Sequence, residues 1–191
     1  MKGKYIKGKR ISYDGSQLRS LYAYTAHDVQ GDSILAFRGP CRVGVENLVD
    51  MEDRKNKAEI ASEDMVHFIV ELFGSDLDRA VVLQRLFLCV VKDVIEGLKP
   101  ELFVTRKGDD LFIEVEDEED RKMTVSVATA SPVSCLIHVG VNVDSTGTPV
   151  PTLGLDDLGI PVDDFTLKVL QGFISEMKGI EQARCKVRGV L

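Results

Sequence analysis

Glu63, His67 and Glu71 stand four residues apart. On a helix they would share one stripe, and carboxylate oxygens beside an imidazole could hold a divalent metal. An ordinary charged helix surface produces the same spacing, so no metal site is assigned. Arg38 closes the apolar run SILAFR immediately before Gly39-Pro40. A guanidinium fixed by a rigid turn suits bidentate recognition of phosphate or carboxylate, and it equally suits an arginine that only carries its head out to water. Lys122 opens an apolar strand behind the acidic turn at 116–120, and alone it reads as a surface lysine paired with Glu118 or Asp120. Asn142 lies inside the apolar stretch 137–143, just after Gly140. A buried amide needs partners and a glycine allows close approach of backbone or ligand, which makes Asn142 the most informative single residue.

The elements that must position these residues can be read from pattern. The run 33–38 suits a strand buried at its centre. Residues 47–61 are charged and irregular, a surface excursion. Ser62 offers an N-cap with Glu63 and Asp64 in the first turn, and Met65, Val66, Phe68, Ile69, Val70, Leu72 and Phe73 continue to Gly74, which predicts a helix. Ser75 with Asp78 resembles a capping box for a second helix that runs to Gly97 and is apolar over most of its circumference. After Pro100 the rhythm becomes period two, and 103–106, 111–115, 123–128 and 136–143 read as four strands of an antiparallel meander, with hairpin turns at 107–110 and 117–120. The Gly-, Pro- and Thr-rich stretch 145–161 is a loop. Asp163 and Asp164 then cap a last helix whose Phe165, Val169, Phe173, Met177 and Ile180 form one buried stripe. The expected architecture is α+β, a central antiparallel sheet with the helices at 62–97 and 164–179 on one side of it, in one domain spanning 1–191.

Composition excludes several classes of function. With 191 residues, 44% hydrophobic and 29% charged, the chain can bury a core without covalent help. Cys41, Cys89, Cys135 and Cys185 are far apart and form no C-x-x-C pair, which argues for free thiols in a reducing cytoplasm and against zinc or disulfides. The basic start at Lys2, Lys4, Lys7, Lys9 and Arg10 is followed by no apolar stretch that could serve as a signal peptide, and reads best as a strand edge protected by lysines. The apolar run 86–91 is far too short to span a bilayer. A net charge of −7 disfavours wide contact with nucleic acid. No P-loop, Rossmann glycine motif, H-E-x-x-H or G-x-S-x-G is present.

Three stretches carry a resemblance. Arg106-Lys107-Gly108-Asp109-Asp110-Leu111, then Lys122-Met123-Thr124-Val125, then Gly140-Val141-Asn142-Val143-Asp144 follow the order and approximate spacing of the biotin protein ligases' K-W-P-N-D-L, K-x-x-G and G-x-N-V motifs. The octanoyltransferases of lipoate synthesis look similar here too, with a lysine strand followed by a His-containing strand ending in N-V-D, as in His138 to Asp144. Across nearly its whole length, including GDSILAFRGPC, LVDMED, SEDMVHFIVELF and VATASPVS, the chain resembles a prokaryotic family catalogued as domain of unknown function 366, classed with the fold of class II aminoacyl-tRNA synthetases and biotin and lipoyl ligases. There are departures. The G-R-G-R-x-x-W loop and any Trp are missing, Val125 stands for the glycine of K-x-x-G, Asp109 for the Asn of P-N-D, and no cysteine follows Asn142.

The resemblance implies a cleft that binds or transfers an activated carboxylic acid, as acyl-adenylate or acyl-thioester. Lys122 inherits contact with the acyl group, Asp110, Asn142 and His138 line the ligand site, and Arg38, in the dipeptide Phe37-Arg38, echoes the synthetase arginine that grips the α-phosphate. ATP and Mg²⁺ enter if the acid is adenylated. The partners are then a small carboxylic acid or an acyl carrier, with self-association left open and no membrane or nucleic acid. A non-catalytic binding module on the same scaffold is the competing reading, because fold does not fix function.

Overall fold

The run from Met65 to Phe73 is a strand and not the helix that its capping residues suggest. In the computed structural model, which describes residues 1–58, 60–115, 119–146, 148 and 150–190, β3 spans Ile60–Phe73. It is the middle strand of a five-stranded sheet ordered β1 (Lys2–Arg10), β2 (Ser33–Val43), β3, β8 (Ser134–Asp144), β7 (Thr124–Ala130). Residues 64–72 are all buried, because both faces of the strand are covered. Val66, Phe68, Val70 and Leu72 belong to the large core, while Met65 and Ile69 pack with Tyr13, Phe37 and Cys41 on the other face. A strand buried on both faces has no polar side to alternate with, so its sequence cannot be told from a buried helix by periodicity.

All pairings in this sheet are antiparallel except that of β1, which runs parallel to β2. The segment 11–32 between those two strands, which contains α1 (Tyr22–His27), is long enough for the crossover that a parallel pair requires. The edge strand β1 exposes its lysines, as expected for a protected edge.

The helices α3 (Leu77–Leu98) and α4 (Val162–Arg184) cover one face through Phe87, Phe165 and Phe173. Of the predicted stripe, Phe165, Val169, Phe173 and Met177 are buried and Ile180 is half-buried, whereas no side chain caps α4. Asp163 and Asp164 lie in its first turn, where carboxylates oppose the helix dipole. For α3 the cap is Asp76, accepting from the Arg79 amide at 2.8 Å, rather than Ser75. Among the described residues no helix is long and apolar enough to cross a membrane.

The expected four-strand meander is split. β4 (Val104–Lys107), β5 (Asp110–Ile113) and the short β6 (Arg121–Lys122) make a separate small sheet. Gly108, at φ 64°, takes the first position of the two-residue turn between β4 and β5, a place where a side chain would be strained. Part of the second turn, 116–118, lies outside the described residues. The fully buried Met123 then links the sheets: its amide donates to Leu111 in β5 and its carbonyl accepts from Asn142 in β8. The excursion at 47–61 contains an exposed helix, α2 (Met51–Asn56), capped by Asp50.

Candidate functional site

On the sheet face opposite the two long helices, the register sets Met65 beside Asn142, His67 beside Gly140 and Ile69 beside His138. β7 adds Val125 and Val127 opposite Gly140 and His138. A Cβ at Gly140 would come within 2.9 Å of Met65 Cε and 3.0 Å of Val125 Cγ2. The close approach that a glycine here predicts is therefore made by two side chains that meet over it and form a floor. Tyr13, held by its amide donating to Pro40 and its carbonyl accepting from Arg42, lies over the neighbouring histidine. Of these, Tyr13, Met65, Val125, Val127, His138 and Asn142 border a cavity of about 430 Å³, together with described residues between 47 and 62 and after β8, a volume suited to a small organic ligand.

Below Tyr13 lies a buried histidine pair. His67 and His138 are 0% and 3% exposed, with His67 Nδ1 3.1 Å from His138 Nε2 and His67 Nε2 3.2 Å from the Gly39 carbonyl. A carbonyl can only accept, so His67 carries its proton on Nε2, its Nδ1 is a lone pair, and His138 must donate from Nε2. Both rings are neutral. Burial pushes His67 down to about 4 and His138 well below the usual imidazole range, the latter lowered further by its neighbour. His138 lines the cavity, and by this assignment its Nδ1 is an acceptor.

Asp110 and Lys122 form another wall. Asp110 opens β5 and Lys122 ends β6, which brings Lys122 Nζ to 2.7 Å from Asp110 Oδ2 with the side chains 28% and 24% exposed. The wall is clipped to its surroundings. Leu111 donates to Thr124 Oγ1 at 2.8 Å, Ser126 Oγ donates to the Asp109 carbonyl at 2.6 Å, and Lys122 exchanges backbone hydrogen bonds with Pro151 and Leu153. Burial raises the Asp110 carboxyl above its ordinary value, against the opposing pull of Lys122. Asp120 pairs with Lys107 instead of Lys122, and Glu118 lies outside the described residues. Asn142, 4% exposed, lines the same cavity and its side chain makes no hydrogen bond to a described residue.

Arg38 does not join them, which corrects the expectation of one four-residue cleft. It pairs across the sheet with Val66, on the face covered by the helices. There its Nε and Nη2 lie 2.8 and 2.6 Å from Oδ2 of the buried Asp64, which also accepts from Arg10 at 2.9 Å. Strand parity decides this: residues an odd number apart point to opposite faces. The stripe of Glu63, His67 and Glu71 is likewise stretched along a strand, over about 13 Å per four residues. Its members serve separately, with Glu63 on Arg42, His67 on His138, and Glu71 accepting from Leu21 and Ser134. Among the described residues no three of His, Cys, Asp or Glu are grouped to hold a metal.

Of the expected site residues, Asp110, Lys122, His138 and Asn142 therefore share one cavity. Tyr13, Asp50 and Asp53 also line it, and nothing in their local sequence marks them. His67 was legible only as a helical residue.

The chain matches the family model described as "Domain of unknown function (DUF366)" over residues 1–188. It is 38% identical over 180 residues to the uncharacterized protein MJ0805 of Methanocaldococcus jannaschii, covering 91% of this chain and 78% of that one. A solved protein of unknown function from Pyrococcus horikoshi superposes with a TM-score of 0.92 at 38% identity, over 99% and 98% of the two chains. A mutant biotin protein ligase from Aquifex aeolicus, in complex with biotin, superposes with a TM-score of 0.62 at 15% identity, over 95% of this chain and 72% of that one. At that identity the likeness is one of fold, and the fold is the biotin/lipoyl ligase-like one that the sequence leads one to expect.

Proposed function

The chain belongs to the DUF366 family, and from that premise we propose that it binds an activated carboxylic acid, as adenylate or thioester, in the cavity above β3, β7 and β8. One observation carries this reading: Lys122, Asp110, His138 and Asn142 line a single cavity, and the Lys122 side chain is only 28% exposed. In a site with restricted water, an ammonium attracts negative charge developing on acyl or phosphoryl oxygens more strongly than it would in bulk solvent. Asp110 holds that ammonium in place, and the Asn142 amide offers a donor and an acceptor to orient the acid. That a solved ligase of this fold holds biotin supports the choice of a small acid as ligand.

Adenylation would bring ATP and Mg²⁺. The described residues gather no metal-binding group of three, and no step is assigned through the ion. Lys122 is also the one lysine or arginine among the described residues lining the cavity, since Arg38 is committed to Asp64 on the opposite face. That favours, as a second reading, a binding module that receives an acid activated elsewhere. Isotope exchange between pyrophosphate and ATP across a panel of carboxylic acids separates the two. Acid-dependent exchange establishes adenylation. Calorimetric binding of an acyl-adenylate analogue without exchange leaves binding alone, and no binding of any acid or analogue ends both readings.

A further inference from the structure

The charges around the cavity are unequal. Among the described residues lining it, Asp50, Asp53, Asp109 and Asp110 are carboxylates, and Lys122 alone opposes them. Lys122 is already matched by Asp110 at 2.7 Å. Asp50, Asp53 and Asp109 have no cationic counterpart on the lining, although Asp50 Oδ1 accepts from the Glu52 and Asp53 amides and Asp109 Oδ2 from the Gln84 side chain. The exposed Arg54, Lys55 and Lys57 belong to the same segment as Asp50 and Asp53 but do not line the cavity. His138 adds no charge, because its Nε2 proton is committed to the neutral His67.

Carboxylates at a rim are common on protein surfaces, and a second feature distinguishes this one. Asn142 is 4% exposed, and its side-chain amide, unlike its backbone N–H, makes no hydrogen bond to a described residue where it borders the cavity. Its polar atoms are open to the cavity and are not among the sealed, unpartnered ones, which among the described residues are Ser33 Oγ and Asp64 Oδ1, so they are available to hydrogen-bond a ligand there. Its neighbour His138 presents an acceptor nitrogen by the tautomer argument. The carboxylates are spread along two walls and are not gathered in threes, an arrangement that suits an extended organic cation better than a metal ion.

We infer that the acid held in this cavity bears a cationic group, so that its carboxyl end meets Lys122 while an ammonium or amidinium lies toward Asp50 and Asp53. This rests on the reading of the cavity as an acid site and narrows it to amino-carboxylic acids over plain aliphatic ones. A plain fatty acid would bring a further negative charge and balance none of the three carboxylate charges.

The test is a titration of the full chain with hexanoate, 6-aminohexanoate and hexylamine, by calorimetry and ligand-observed NMR. The expected order puts 6-aminohexanoate about fivefold tighter than hexanoate, the upper end of what one partly exposed ion pair contributes, and the ratio shrinks as salt is raised. Replacing both wall carboxylates, Asp50→Asn with Asp53→Asn, should abolish the preference. Asparagine caps a helix as well as aspartate, so α2 keeps its N-cap and circular dichroism should be unchanged. Hexanoate binding as tightly as 6-aminohexanoate overturns the inference and leaves the acid site standing. Binding of hexylamine without either acid overturns both the acid site and the inference, because a cation-binding wall would then hold no acid, and binding of none of the three likewise overturns both. A preference that survives the double substitution also overturns the inference, because the wall carboxylates would not be its source.

Discussion

Tyr13 lies flat on His138, with ring centroids 3.8 Å apart and planes 10° from parallel. The tyrosine comes from the segment after the edge strand and the histidine from the interior of β8, so the stack ties together segments far apart in the sequence. It also covers the His67–His138 pair, whose rings are 5.4 Å apart. That enclosure keeps both histidines neutral, because a charged imidazole there would lose its hydration. Several measurable consequences depend on this floor and on the walls beside it.

The histidine pair makes stability depend on pH in a defined window. His67 titrates near 6.5 when unfolded and is pushed down to about 4 when folded. Above pH 7 it is neutral in both states. As pH falls from about 6.5 toward 4 the unfolded chain binds a proton that the folded chain refuses, so stability falls. Between pH 7 and 5 urea unfolding should show a loss of about 2 kcal/mol from His67 alone, with His138 adding in the same direction. His67→Gln with His138→Gln should flatten that dependence; an unchanged slope would mean the pair is not its source.

Lys122→Ala should weaken an acyl-adenylate analogue by about 2 kcal/mol or more, the scale of a charge-assisted contact in a partly dry site. Calorimetry on both proteins reads this directly. Equal affinities would remove Lys122 from the site.

Arg38→Ala should behave in the opposite way. It leaves Asp64, 6% exposed, with Arg10 as its remaining close cationic partner, and should cost about 1–3 kcal/mol of folding stability. The affinity for the same analogue should stay within about twofold, because Arg38 faces the helices and not the cavity. A large loss of binding without a loss of stability would restore Arg38 to the site.

Gly140→Val should collide with Met65 and Val125, whose atoms already stand about 3 Å from the position of a Cβ there. Over-packing of this kind typically costs about 1–3 kcal/mol. Because the displaced side chains are the cavity floor, binding of the analogue should fall as well, and Met65→Ala in the same chain should recover part of it. Thermal unfolding and calorimetry on the single and double variants measure both effects.

Much of this was legible in one dimension. The stripe on α4, the lysine-lined edge strand and the β4–β5 turn with Gly108 are local patterns, and local patterns survive folding because they arise from backbone geometry and neighbouring side chains; the order Asp110, Lys122, Asn142 was legible only through the resemblance to the ligases. Two matters belonged to the tertiary structure. Whether 60–73 is strand or helix depended on what covers it, since burial on both faces erases the alternation that would have marked a strand. Which residues face the cavity depended on register. Phe37 and Arg38 are adjacent, yet the pairing of Arg38 with Val66 turns the arginine toward the helices and Asp64, while Phe37 joins His67 on the other side. A strand sends successive side chains to opposite faces, and only the partner strand and the layers packed on each face decide which of the two is the site.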